Sequence, residues 1–151
     1  MSSLTSLRSV QLWIGLSIFC FALSPSQAAE PPWGQWRGPQ RDGHAIGGKW
    51  PDTLDGRLKL VWEVELGPSY SGPVTSGDLV FTTETVDRQF EQVTAYKLDT
   101  GQQAWRTKWE GAMAVPFFAA SNGDWIRATP ACDENHLVVA GMRDVLVCLD
   151  T

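Results

Sequence analysis

One stretch in the middle of the chain, residues 95–105, constrains the fold more than any other. It reads as the end of a β-strand, a tight polar turn and a tryptophan at the start of the next strand. The hydroxyl of Thr100 can bond nearby backbone and Gly101 tolerates a positive φ, so the pair predicts a turn. Trp105 follows the glycine by four residues, which lets its ring fold back over the turn. Taken alone, the stretch is either a surface hairpin with a buried Trp or one copy of a repeat.

Composition limits the class of protein. A length of 151 residues normally makes one domain. The presence of 8 Trp and 14 Gly favours short strands and turns over long helices. The formal net charge of −5 argues against a nucleic-acid partner, because proteins that bind nucleic acid usually show a basic patch or stripe.

Residues 1–28 have the form of a secretory signal peptide. Arg8 gives a positive start, residues 12–23 are apolar, and small residues follow at the positions that a signal peptidase reads. An uncleaved membrane anchor is the alternative, but an apolar run of 12 residues is too short to span about 30 Å of hydrocarbon as a helix. We therefore expect cleavage after Ala28, no membrane span in the mature chain, and an exported protein that is periplasmic or extracellular.

Export sets the redox environment of the two cysteines that remain after cleavage, Cys132 and Cys148. An exported protein can join them in a disulfide. Cys148 lies in the apolar run 145–149, and an unpaired Cys packs as a small hydrophobe, so a buried free thiol is favoured. Neither cysteine has a His in metal-ligand spacing, which argues against a zinc site.

Residues 29–57, which we call the N-terminal strap, are dense in Pro and Gly and short of periodic apolar residues. Such a composition excludes regular helix. Trp33, Trp36 and Trp50 are costly to leave in water, so we expect the strap to lie against a folded body. The functional alternative is an aromatic platform for a ligand.

The sequence predicts β-strands from residue 58 onward. Residues 58–66 alternate apolar and charged side chains over most of their length, a period-2 pattern that is typical of a half-buried strand. Residues 71–74 lead into a second strand, and β-branched and aromatic residues predict further strands at 79–85, 90–96 and 105–109. Because turns and not helices separate the last four strands, we expect them to form an antiparallel meander.

The same order of features then starts again. Residues 128–131 match 71–74, residues 137–139 match 79–81, and residues 147–150 match 94–97. The second of these matches is separated by 58 positions and the third by 53. Recurrence at this interval, with one four-stranded sheet per unit, predicts a β-propeller or another array of repeats.

The repeated turn resembles a known motif. It reads Ala95-x-Lys97-x-x-Thr100-Gly101-x-x-x-Trp105, and it resembles the tryptophan-docking motif A-x-D-x-x-T-G-K-x-x-W of the pyrroloquinoline-quinone (PQQ)-like β-propeller repeat. Lys97 replaces the Asp of that motif and Gln102 replaces its Lys. Residues 33–43 and 123–130 are also similar to sequence segments of secreted members of this group. The resemblance implies that Trp105 docks onto a neighbouring blade and that Lys97 weakens the hydrogen bonding of the turn.

The resemblance covers the whole mature chain and implies an all-β fold. It predicts a β-propeller of four-stranded antiparallel blades, of which residues 58–151 hold about one and a half. A ring needs at least about four blades of roughly 40 residues each, so we expect the rest of the propeller C-terminal to Thr151. Residues 58–66 would then be the outer strand of a blade whose other strands come from the C-terminus.

The resemblance does not decide between two functions, because members of this family differ in what they do. Quinoprotein dehydrogenases of this family hold PQQ and Ca²⁺ at the propeller centre, whereas the propeller of the outer-membrane assembly machinery binds proteins and does no chemistry. The dehydrogenases use a Glu/Asn pair on calcium, a catalytic Asp, a Trp on the quinone and often two adjacent cysteines. Here Cys132 and Cys148 are 16 residues apart and no dense acidic loop is present. We therefore expect a non-catalytic scaffold that binds a protein or another ligand, with no assigned catalytic or metal residue. PQQ and calcium belong only to the alternative, a dehydrogenase fragment.

The central channel has three candidate residues, Asp124, Trp125 and Arg127. They lie just before the inner strand of the second copy. Arg127 could meet an anionic ligand there, and a structural salt bridge between Asp124 and Arg127 is the favoured alternative. Residues 111–118 form an apolar excursion between the two copies. This excursion could bind a partner, although packing between blades is favoured. His136 is predicted to lie in a solvated hairpin turn.

Overall fold

The computed structural model describes residues 32–45, 50–111 and 113–151. The predicted signal peptide lies outside these residues, as do positions 29–31 and 46–49 of the N-terminal strap. Among the residues that the structure describes, no helix is long and apolar enough to cross a membrane.

Two antiparallel sheets make up the described fold. The first is a four-stranded meander in the order β1-β2-β3-β4, and the second is a three-stranded meander in the order β5-β6-β7. The strands are Val74–Ser76 (β1), Leu79–Val86 (β2), Phe90–Lys97 (β3), Gln103–Glu110 (β4), Ala131–Cys132 (β5), His136–Ala140 (β6) and Leu146–Asp150 (β7). A 3₁₀ helix, Phe117–Asn122, lies between the two sheets in the chain. The all-β prediction is confirmed, and the arrangement is that of a partial β-propeller.

Tight turns at the predicted positions allow the meander. Gly77, between β1 and β2, has a φ of 56°, and Gly101, between β3 and β4, has a φ of 68°. This left-handed conformation costs an L-residue energy that glycine avoids. Asp87 and Arg88, between β2 and β3, also adopt positive φ values of 53° and 54°. The strands predicted at 79–85, 90–96 and 105–109 are therefore confirmed, each with slightly wider bounds.

One hydrophobic core joins the two sheets. The register pairs Phe81 with Ala95, so these residues and Val93 point to the same face of the first sheet. They are fully buried together with Leu137 and Val139 of the second sheet. Continuity of this core explains why a short second sheet remains ordered against the first.

The strand predicted at residues 58–66 is absent from the structure. The alternation survives only at Trp62 and Val64, which are half-buried, whereas Leu58, Leu60 and Leu66 of the same predicted face are exposed. A β-strand also needs a hydrogen-bonded neighbour. No strand among the described residues pairs with this segment, and of its predicted apolar face only Trp62 and Val64 are partly buried.

The two cysteines are free thiols, and the predicted burial of Cys148 is wrong. Strand β7 forms one edge of its sheet and leaves Cys148 exposed. Cys132 is half-buried on β5, and loss of solvent raises the pKa of its thiol. Because β6 separates the two strands, the cysteines lie about 10 Å apart, which is beyond the reach of a disulfide.

Candidate functional site

The N-terminal strap bonds to the first strand of both sheets. The amide of Trp33 donates to Oγ1 of Thr75 at 3.0 Å, and the amide of Thr75 donates to the carbonyl of Trp33 at 3.0 Å. The amide of Cys132 donates to the carbonyl of Gly34 at 2.7 Å. The strap therefore occupies the free edges of β1 and β5, which are the strands that line the central channel in a propeller.

The next residues of the strap form a hydrogen-bonded turn that carries two arginines in left-handed conformations. Arg37 has a φ of 64° and Arg41 a φ of 58°. Arg37 donates from Nη2 to the carbonyl of Asp42 at 3.0 Å, and its guanidinium lies 5.5 Å from the ring centre of Trp36. Of the three strap tryptophans, Trp33 is half-buried whereas Trp36 and Trp50 are exposed. The fold therefore covers only one of the three strap tryptophans in part and leaves the other two exposed.

The turn of the repeat motif is covered by Trp62 and not by Trp105. A Cβ atom on Gly101 would lie 2.7 Å from the Trp62 ring. The Nε1 of Trp62 donates to the carbonyl of Leu98 at 2.8 Å. Trp105 instead packs against Phe81, with 5.7 Å between ring centres, and borders the core shared by the two sheets. The prediction that Trp105 folds back over its own turn is wrong, because β4 directs its ring into the core.

Lys97 does not open the turn, although it replaces the Asp of the motif. Its amide donates to the carbonyl of Gln102 at 2.8 Å, and its carbonyl accepts from the amide of Gly101 at 2.8 Å. The Nζ of Lys97 reaches Oδ2 of Asp78 at 2.7 Å. This hydrogen bond, together with the positive charge of Lys97, lowers the pKa of the Asp78 carboxyl. An ion pair to the β1–β2 turn thus takes the place of the aspartate of the motif.

A buried carboxylate that the sequence reading missed links the two sheets. Glu91, on β3, is fully buried. Its Oε2 accepts from Nε1 of Trp109 at 3.0 Å, and its Oε1 accepts from the amide of Met142 at 2.7 Å. Met142 belongs to the β6–β7 turn, so the contact crosses from one sheet to the other. The sequence could have shown this burial, because Glu91 is two and four residues from Val93 and Ala95 and therefore lies on the same face of β3.

Of the three channel candidates, Trp125 and Arg127 contact the same residue, Tyr70, whereas Asp124 has a different partner. Asp124 binds Arg88 of the β2–β3 turn at 3.1 Å, so the predicted salt bridge between Asp124 and Arg127 is wrong. Arg127 donates from Nη2 to the carbonyl of Gly123 at 2.6 Å and lies 5.1 Å from the ring centre of Tyr70. Trp125 stacks on the same tyrosine, with 5.3 Å between ring centres.

The apolar excursion before β5 points into solvent. Phe117 is 91% exposed and Phe118 is 76% exposed, and their rings meet edge to face at 5.7 Å. Among the described residues no strand covers these two rings, so packing between blades stays a prediction for them. A cleft of about 420 Å³ is lined by Val115 and Ala120 of this part of the chain together with Arg88, Asp124 and Trp125.

The described residues do not fit a PQQ and calcium centre. Within them, no three His, Cys, Asp or Glu side chains come together in a group that could hold a metal ion. The two cysteines lie on opposite strands of the second sheet and are not adjacent. Calcium needs about six to eight converging oxygen ligands, and the described residues contribute no cluster of three or more carboxylates to such a set. His136 is exposed, and its Nδ1 lies 3.5 Å from Oδ1 of Asp133.

The fold and its repeated turn define a partial β-propeller of the PQQ-like class. A comparison with family models supports this description. The model described as outer membrane protein assembly factor BamB matches residues 52–122 and 89–151. Because these two matches cover well over half of the chain, the protein belongs to this family of PQQ-like β-propeller repeat proteins. No curated protein and no solved structure matched the chain.

Proposed function

We propose that this chain is an exported, non-catalytic β-propeller module that binds another protein. The observation that carries the proposal is the attachment of the strap to the inner edges of β1 and β5. A cofactor at the centre of a propeller would approach these edges, whereas here their amides bond to Trp33 and Gly34. Membership of a family described as an outer-membrane assembly factor also favours protein binding over chemistry.

A titration with PQQ and Ca²⁺ tests the non-catalytic part of the proposal. The 151-residue chain contains 8 tryptophans, so its fluorescence reports a bound quinone. Because PQQ absorbs light, N-acetyltryptophanamide at matched absorbance serves as the control for optical loss. We expect quenching equal to that of the control and no dye-linked oxidation of alcohols. Saturable quenching that requires Ca²⁺ would overturn the proposal and favour the dehydrogenase alternative.

Export is proposed from the N-terminal residues and needs its own test. The chain is produced with residues 1–28 in a Gram-negative host, and the periplasmic product is sequenced from its N-terminus. We expect the mature chain to begin at Ala29, and Ala28→Arg to block cleavage, because a signal peptidase reads a small residue there. A product that stays in the cytoplasm with residues 1–28 attached would contradict export.

A further inference from the structure

Two neighbouring phenylalanines on the apolar excursion stand almost wholly in solvent. Phe117 is 91% exposed and Phe118 is 76% exposed. They lie on the 3₁₀ helix Phe117–Asn122, which contains no buried residue. Single exposed apolar side chains are common on proteins, but an exposed apolar patch marks a site of interaction.

The C-terminal end of this helix is held in place. Arg127 donates from Nη2 to the carbonyls of Gly123 at 2.6 Å and Asn122 at 3.4 Å. The neighbouring Ile126 is fully buried, and its amide donates to Oγ1 of Thr85 at 2.9 Å. The helix that carries the phenylalanines is therefore bonded to the folded body at its C-terminal end, and such anchoring reduces the entropy lost when a partner binds.

A second exposed aromatic group lies at the C-terminal end of the helix, joined to it through Arg127. Tyr70 is 51% exposed. Its ring contacts Trp125, at 5.3 Å between centres, and the guanidinium of Arg127, at 5.1 Å. We call Tyr70, Phe117, Phe118, Trp125 and Arg127 the aromatic surface. Aromatic residues and arginine are the residue types enriched at the energetic centres of protein interfaces.

Charge indicates the chemistry of the partner. Arg88, beside the cleft, is already matched by Asp124 at 3.1 Å. Arg127 bonds to backbone carbonyls, and no carboxylate of the described residues pairs with it. A cation on an aromatic ring, with donors still open to solvent, is complementary to a carboxylate.

We propose that the aromatic surface binds an apolar segment of a partner protein, and that a carboxylate of this segment pairs with Arg127. The inference rests on the proposed protein-binding function and names the surface and the partner chemistry for it. The phenylalanines supply the apolar contact area, and Arg127 selects for an acidic residue in the bound segment.

Three fluorescein-labelled peptides test the surface by fluorescence anisotropy on the 151-residue chain. They are G-D-F-L-D-F-G (acidic and apolar), G-K-F-L-K-F-G (basic and apolar) and G-D-S-N-D-S-G (acidic and polar). We expect saturable binding of the first peptide, about tenfold or more tighter than that of the other two. If the acidic apolar peptide binds no tighter than the basic one, or no tighter than the polar one, the proposed chemistry is overturned.

Variants then locate the binding. Phe117→Ser combined with Phe118→Ser should weaken binding of the acidic apolar peptide by about tenfold or more. Arg127→Gln should remove the preference for the acidic peptide over the basic one. Leu146→Ser is the matched control, because Leu146 is 73% exposed but lies on β7, away from the 3₁₀ helix in the chain. This variant should bind the acidic apolar peptide as tightly as the unaltered chain does. Near-UV circular dichroism verifies that each variant keeps its fold.

The remaining outcomes are also decisive. Equal binding by the double Phe variant would overturn the proposed surface, and so would a complete absence of saturable peptide binding. A concentration-dependent dimer in sedimentation that disappears in the double Phe variant would assign the surface to a second copy of this chain and overturn the partner proposed here. If the peptides fail while PQQ and Ca²⁺ also fail to bind, the scaffold proposal stands and only this surface is removed.

Discussion

The ring of Trp62 lies directly over Gly101. A Cβ atom at Gly101 would come within 2.7 Å of this ring, and Nε1 of Trp62 donates to the carbonyl of Leu98 at 2.8 Å. Glycine is therefore needed at this turn for two separate reasons, a positive φ and close contact with an aromatic ring. The two residues connect the segment before the first sheet to the turn between β3 and β4.

Substitution of this glycine should cost more than the conformation alone explains. Gly101→Ala strains a φ of 68° and also pushes the new methyl into Trp62. We expect a loss of about 2–4 kcal/mol in the free energy of unfolding. Gly77→Ala is the matched control, because Gly77 has a φ of 56° with nothing within 4 Å of a Cβ, and it should cost about 1–2 kcal/mol. Urea denaturation compares the variants, and equal losses would contradict a role for Trp62.

Attachment of the strap should depend on Gly34. A Cβ at this position would lie 2.6 Å from the carbonyl oxygen of Cys132. We expect Gly34→Ala to cost about 1–3 kcal/mol and to speed hydrogen exchange at the amides of Thr75 and Cys132. Gly72→Ala serves as control, because its Cβ would meet nothing closer than Oγ1 of Thr129 at 3.6 Å. Unchanged exchange in the Gly34 variant would show that the strap does not protect these two strands.

Glu91 should be the most sensitive polar residue that links the two sheets. In Glu91→Gln, one carboxylate oxygen becomes an amide nitrogen, which cannot accept from either Trp109 or Met142. We expect a loss of about 2–3 kcal/mol in the free energy of unfolding and a shifted indole N–H resonance for Trp109. Glu110→Gln, at an exposed position at the end of β4, should change stability by less than about 0.5 kcal/mol. Comparable losses in the two variants would mean that the buried contacts of Glu91 contribute nothing.

Acid should weaken the fold partly through Asp78. The hydrogen bond from Lys97 holds the pKa of the Asp78 carboxyl below its ordinary value of 3.8. A lowered pKa stabilises the folded state above that value, and this contribution is lost as the pH falls through the folded-state pKa. Below about pH 4 the urea midpoint of the unaltered chain should therefore fall more steeply than that of Lys97→Met.

Lys108→Met is the control for the acid experiment. The Nζ of Lys108 lies 4.4 Å from the ring centre of Phe90 and not in a salt bridge of the described residues. This variant should keep the acid profile of the unaltered chain. If Lys97→Met and the unaltered chain show the same slope, the ion pair does not act on stability.

Local features of the sequence predicted most of the strands. β-Branched and aromatic residues identified β2, β3 and β4, because such side chains pack well on a pleated sheet. The turn at Thr100 and Gly101 was also predicted, because glycine adopts a positive φ at little cost. Alternation of apolar and polar side chains failed at residues 58–66, where the pattern fits a strand but no described strand lies beside it.

The sequence by itself determined the strand pattern, the turns and the family, because each of these depends on residues close together in the chain. Only the tertiary structure decided the partners of the side chains that connect distant parts. Trp62 reaches the turn at Leu98 across 36 positions, Arg88 reaches Asp124 across 36 positions, and Glu91 reaches Met142 across 51 positions. Such contacts depend on how the two sheets pack over their shared core, and no local pattern encodes that geometry.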